Sequence, residues 1–168
     1  MAGPDCIRSS FPRKNDLASD FPGANNSLKA LTLIQPFAQL CADGRKQIET
    51  RSWKTNYRGP LIIHAGKQVD RDFAADCGYD YLPTGAAVCI VDLWQCEPMP
   101  AKNFSRWLNR ISFQEQQYGS YAPGRFAWHV KLMHVFSIPQ IIRGYQGLWN
   151  FHPVEAERRA QVGQGELR

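Results

Sequence analysis

The 168 residues contain no closely spaced cysteine pair, no glycine-rich phosphate loop, no heptad repeat and no internal repeat. The five cysteines, Cys6, Cys41, Cys77, Cys89 and Cys96, are odd in number and scattered. That spacing excludes a zinc knuckle, a redox pair and a disulfide framework, so they are expected to be free and mostly buried thiols. The four histidines do not fall at metal-ligand spacing, and neither a metal nor a cofactor is predicted. The longest apolar stretch, residues 85–93, is well short of the roughly 20 residues a membrane span requires. The first 14 residues mix Asp5, Arg8, Arg13 and Lys14 with Ser and Pro and hold no signal-peptide block, so a cytoplasmic location is the expectation.

What the chain does have is enough apolar material for one core: 43% hydrophobic and 12% aromatic residues. Residues 1–27 lack sustained apolar periodicity and read as a flexible leader. Residues 28–153 read as the domain, and residues 154–168, rich in Glu, Arg and Gln, as a helical or disordered tail. The net charge is +5. Residues 1–27 carry three basic and three acidic side chains and residues 155–168 three of each, which leaves fourteen basic against nine acidic in the middle. A basic domain favours polyanions through counterion release, although a modest excess also suits an ordinary solvated surface.

Residues 30–34 form an apolar run of strand length. Pro36 stands where a first helical turn begins, and Phe37, Leu40 and Cys41 follow at helical spacing over residues 36–43. Gly44 is placed as a left-handed terminator. Residues 47–53 alternate as a strand does, and residues 61–64 form a second strand expected to pair with it. A short helix is predicted over residues 67–77 and a strand buried on both faces over residues 85–95. A helix or helical excursion follows over residues 102–117, a strand over residues 126–136, and an irregular strand and turn over residues 138–149. Short strands with an early helix and a peripheral one predict a mainly β, α+β domain: a small, partly open β-barrel.

The chemically dense stretch is residues 44–51, GRKQIETR. Side chains two apart in a strand share a face, so Gln47, Glu49, Arg51 and Trp53 form one polar line. Lys46 falls where the chain is turning, and strand parity does not fix its direction. Glu49 is suited to orient Arg51 or to accept from a base amino group, with Lys46 and Arg51 on phosphate or carbonyl oxygens. A plain surface ion pair is the competing reading.

Residues 30–38, residues 44–53 and residues 57–65 in this order resemble the ASCH domain. Gly44, Lys46, Glu49 and Arg51 meet its GxKxxExR signature, and the likeness continues through residues 82–88, 124–128 and 143–150. It covers about residues 28–153. The resemblance implies a PUA-like barrel whose early helix lies beside a cleft lined by the signature. It also implies binding of RNA or of a modified nucleoside or nucleotide. Some ASCH proteins are similar in being hydrolases, either N4-acetylcytidine amidohydrolases or ribonucleases. In the amidohydrolase branch a nucleophilic threonine stands where this chain has Glu49, so that role does not carry over, and Thr50 is expected on the opposite face. Lys46 and Glu49 remain the catalytic candidates of a hydrolase, with the neighbouring Arg51 weakening Glu49 as a base.

Further binding candidates are Gln35, for a base edge, and Trp53 and Tyr57, for stacking. His64 and Lys67 are placed at the cleft rim. Trp107, Phe126 and Trp128 read as core or rim. A monomer is expected, and a protein-interaction module that has lost the chemistry is the blander alternative.

Overall fold

The computed structural model describes residues 28–152. The leader, the C-terminal tail and Cys6 lie outside them. The described chain folds as β1 (Leu28–Gln35), α1 (Phe37–Ala42), β2 (Ile48–Arg51), β3 (Gly59–Val69), α2 (Arg71–Asp76), β4 (Ala86–Pro98), α3 (Phe104–Leu108), α4 (Phe113–Gln116), β5 (Phe126–Ile141) and β6 (Leu148–Phe151). The strands make one six-stranded sheet in the order β2-β5-β4-β3-β1-β6. β1 and β3 are parallel and the other neighbours antiparallel. β2 and β6 are the two edges, so this mainly β sheet is a partly open barrel and not a closed one.

The curl of the sheet is visible in one contact. β2 and β1 are four places apart in strand order, yet Arg51 Nη2 donates to the Thr32 carbonyl at 3.3 Å. That carbonyl lies beyond the reach of β6, which pairs only with residues 28–31. α1 fills the barrel: Ala38, Cys41 and Ala42 join Leu31, Leu33, Leu61, Ile63, Val91, Leu93 and Trp128 in one buried cluster. Burial pushes the Cys41 thiol up to about 12 and the Cys89 thiol up as well, so both are inert apolar fillers. The helix ends as expected, with Gly44 at φ +70° and its N–H on the Cys41 carbonyl.

Two expectations need correction. β2 pairs with β5, in the register Ile48–His129 through Arg51–Phe126, and not with the strand over residues 61–64. That strand lies between β1 and β4. Alternation reveals a strand but carries no information about its partner. The predicted helix over residues 67–77 is shorter: β3 runs on through Lys67 to Val69, and α2 starts only after Asp70, whose carboxylate accepts from Phe73 N–H. The helical excursion expected over residues 102–117 is present, as two short helices, because Ser112 restarts the helix by accepting from Glu115 N–H. β4 is the buried spine the sequence predicts. β5 runs further than expected, to Ile141.

Candidate functional site

β2 is an edge strand, and its free side is covered by residues 112–120. The covering segment is tied on by polar groups. Glu115 accepts from the backbone N–H of Gln47 (2.8 Å) and of Ile48 (3.0 Å), and Ser120 N–H donates to the Thr50 hydroxyl at 3.0 Å. An edge that would otherwise offer unpaired N–H groups is satisfied in this way. Burial raises the Glu115 carboxyl above its ordinary value, and the two backbone donors and the Lys46 ammonium oppose that rise. Gly119 is required here: a Cβ would lie 2.8 Å from Thr50 Cγ2.

Lys46 is only 2% exposed. Its ammonium donates to the Ile48 carbonyl at 2.6 Å and the Tyr118 carbonyl at 2.5 Å, and lies 3.3 Å from Glu49 Oε2. An ammonium has three N–H groups, and three protein acceptors occupy them. Glu49 Oε1 in turn meets Arg51 Nε at 2.9 Å. The result is a chain of charge, Lys46–Glu49–Arg51, buried at the lysine end and one-quarter exposed at the arginine side chain.

Glu49 and Arg51 face a hollow of about 420 Å³ between β1, the start of α1, β2 and residues 117–120. Thr32, Leu33 and Ile34 form one wall, and Phe37, Tyr118 and Gly119 are among the residues that line the rest. Two aromatic residues, a carboxylate and a guanidinium therefore surround a space suited to a small heterocycle. Thr50 also borders it, but its hydroxyl is engaged by Ser120 N–H.

The other sequence candidates sit elsewhere. Gln35 is fully buried: its amide donates to the Pro83 carbonyl at 2.7 Å and its carbonyl accepts from Gln39 N–H at 2.9 Å. Trp53 packs edge-on against Trp128, centroids 4.6 Å apart, and the Tyr57 hydroxyl is bound to the Pro60 carbonyl. His64 is buried, with Nε2 2.9 Å from the Ile142 carbonyl, and burial lowers its pKa. Gly144 packs on its ring so closely that a Cβ would lie 2.4 Å away. Lys67 lines a separate hollow with Arg71, Tyr79 and Tyr81. None of these five lines the Glu49–Arg51 hollow. Trp107 and Trp128 are buried, and Phe126 packs against the core, as expected. Among the described residues no group of three His, Cys, Asp or Glu could hold a metal, and no helix is long and apolar enough to cross a membrane.

The sequence missed Phe37, Tyr118 and Glu115 as site-building residues. Phe37 reads as the apolar face of a helix, and Glu115 and Tyr118 are about 70 residues from β2. The one local sign was the spacing of Ser112 and Glu115, which marks a helix start.

The ASCH domain family model matches residues 31–140, from β1 to nearly the end of β5, and the chain belongs to that family. Among solved structures, a serine-to-alanine mutant of the ASCH protein of Zymomonas mobilis is similar at a TM-score of 0.51 and 16% identity. The match covers 82% of this chain and 96% of that one. The unsubstituted Z. mobilis protein gives a TM-score of 0.48 at 16% identity, covering 81% and 95%. At this identity the likeness is one of fold. No curated protein sequence matches the chain significantly. ASCH membership is consistent with RNA binding or a related function.

Proposed function

We propose that this protein binds RNA or a nucleotide derivative in the hollow between β1, α1, β2 and residues 117–120. The observation that carries the reading is the Glu49–Arg51 pair, 2.9 Å apart, facing a space that Phe37 and Tyr118 also line. Arg51 binds phosphate or carbonyl oxygens through its outer N–H groups, and Glu49 accepts from a base amino group. The two aromatic rings supply apolar contact to the heterocycle. Lys46 holds the Tyr118 wall and fixes Glu49, so it positions the site without touching the ligand.

Anisotropy of short fluorescent single-stranded RNAs tests this reading. Affinity falls steeply between about 50 and 200 mM salt, and Arg51→Ala weakens binding by roughly tenfold. Binding that ignores both salt and Arg51 contradicts it.

The buried Lys46 ammonium, 3.3 Å from the Glu49 carboxylate that lines the hollow, favours a second reading. In it the protein is a hydrolase of a modified nucleoside amide or of RNA, with Glu49 activating water. It requires product from N4-acetylcytidine or labelled RNA that disappears in Glu49→Ala.

A further inference from the structure

On the other face of the β2–β5 pair lies a larger hollow, about 570 Å³, between β4, β5, the start of β2 and the α3–α4 excursion. The register separates the two spaces: Glu49 pairs with Trp128, which points into the barrel, whereas the adjacent pair Ile48–His129 faces the opposite way. Trp94, Glu97 and His129 line this second space from the sheet, and Trp107, Arg110 and Gln114 from the excursion.

The valences left over define what it would take. Each oxygen of Glu115 is engaged by a backbone N–H group, one from Gln47 and one from Ile48. Glu97 meets His129 Nε2 at 2.9 Å and the Arg110 guanidinium at 3.8 Å, both through Oε1, which leaves Oε2 as an acceptor. The Arg45 guanidinium is held by the Cys77 carbonyl and by the hydroxyls of Tyr79 and Tyr118. Besides Glu97 Oε2, the outer part of Arg110, whose side chain is 65% exposed, stays free, as does the ring of Trp94, 51% exposed beside the His129 imidazole at 5.1 Å. Trp107 adds an indole N–H that is buried without a partner. An aromatic platform with N–H donors, an outer guanidinium and one carboxylate oxygen able to accept from a base amino group suits a planar base that carries a phosphate.

We propose that this hollow is a second nucleoside-phosphate site, with the base stacked on Trp94 and the phosphate on Arg110. The choice of ligand class rests on the reading given above for the first hollow, but the site is separate from it. The nucleotide is either free or one unit of an RNA that passes around the β2 edge across residues 112–120.

Titration of the full chain with adenosine 5′-monophosphate and with a short RNA tests this, reading the Trp94 indole N–H signal by NMR. The indole signal moves with the mononucleotide. The affinity it reports drops about tenfold in Arg110→Ala and is unchanged in Arg51→Ala. A unit within RNA adds a loss of RNA affinity in Trp94→Ala, whereas a free-nucleotide site leaves RNA affinity intact; either result sustains the second site. A Trp94 signal that moves with neither ligand, or moves equally in Arg110→Ala, overturns it and leaves the first hollow standing. RNA binding impaired by Trp94→Ala but not by Arg51→Ala would instead discard the first hollow and keep the second.

Discussion

The seam where residues 112–120 cover β2 and the hollow beside it use the same residue types for opposite ends. In the seam, Lys46 and Glu115 are buried and their hydrogen-bonding capacity is spent on backbone carbonyls, backbone N–H groups and Glu49. In the hollow, Arg51 keeps N–H groups free at one-quarter exposure. A charged residue beside a candidate site is therefore not by itself a ligand contact. Counting its remaining donors separates the residue that builds a site from the residue that uses it.

The largest effect that would break this division is on stability at the seam. Lys46→Ala removes the partner of two buried carbonyls and of Glu49, and should cost about 3 kcal/mol in urea unfolding. A loss within about 0.5 kcal/mol would mean that Lys46 is not structural. Glu115→Ala strands two backbone N–H groups and should cost about 2 kcal/mol, read in the same titration. Gly119→Ala forces a methyl group against Thr50. It should cost about 1–2 kcal/mol and weaken RNA binding, because the wall of the hollow must shift.

The reverse pattern belongs to Arg51. Arg51→Ala should change stability by less than about 1 kcal/mol while lowering RNA affinity, and a large stability loss without an affinity change would erase the contrast. The smallest effect concerns His64, which belongs to neither region. Its folded pKa lies below the ordinary 6.5, so the unfolded chain takes up a proton first as pH falls. The stability due to the neutral ring is fully present above pH 6.5 and declines below it. A pH series of thermal melts should show that slope, and His64→Gln should flatten it.

Much of this architecture was written locally. The cluster of Phe37, Leu40 and Cys41 and the terminator Gly44 specified α1, and the unbroken apolar run at residues 86–91 specified a strand buried on both faces. The resemblance read at Gly44, Lys46, Glu49 and Arg51 drew attention to a stretch of which Glu49 and Arg51 do border a hollow. Pairing was not legible, because Ile48 and Thr50 need an apolar neighbour on one face and either β3 or β5 would satisfy that need. Gln35 and His64 misled for a physical reason: a polar side chain at a strand end looks like a rim group, whereas here each is buried with backbone partners. Tyr118 and Glu115 were invisible because their role depends on a loop returning to a distant strand edge, which leaves no periodicity behind.

The most direct measurement is a chemical-shift map of the labelled protein titrated with a short single-stranded RNA. Binding in the first hollow predicts concerted shifts at Phe37, Glu49, Arg51, Tyr118 and Gly119, lost in Arg51→Ala. An RNA that binds while those five signals stay fixed would contradict the assignment of that hollow as the ligand site.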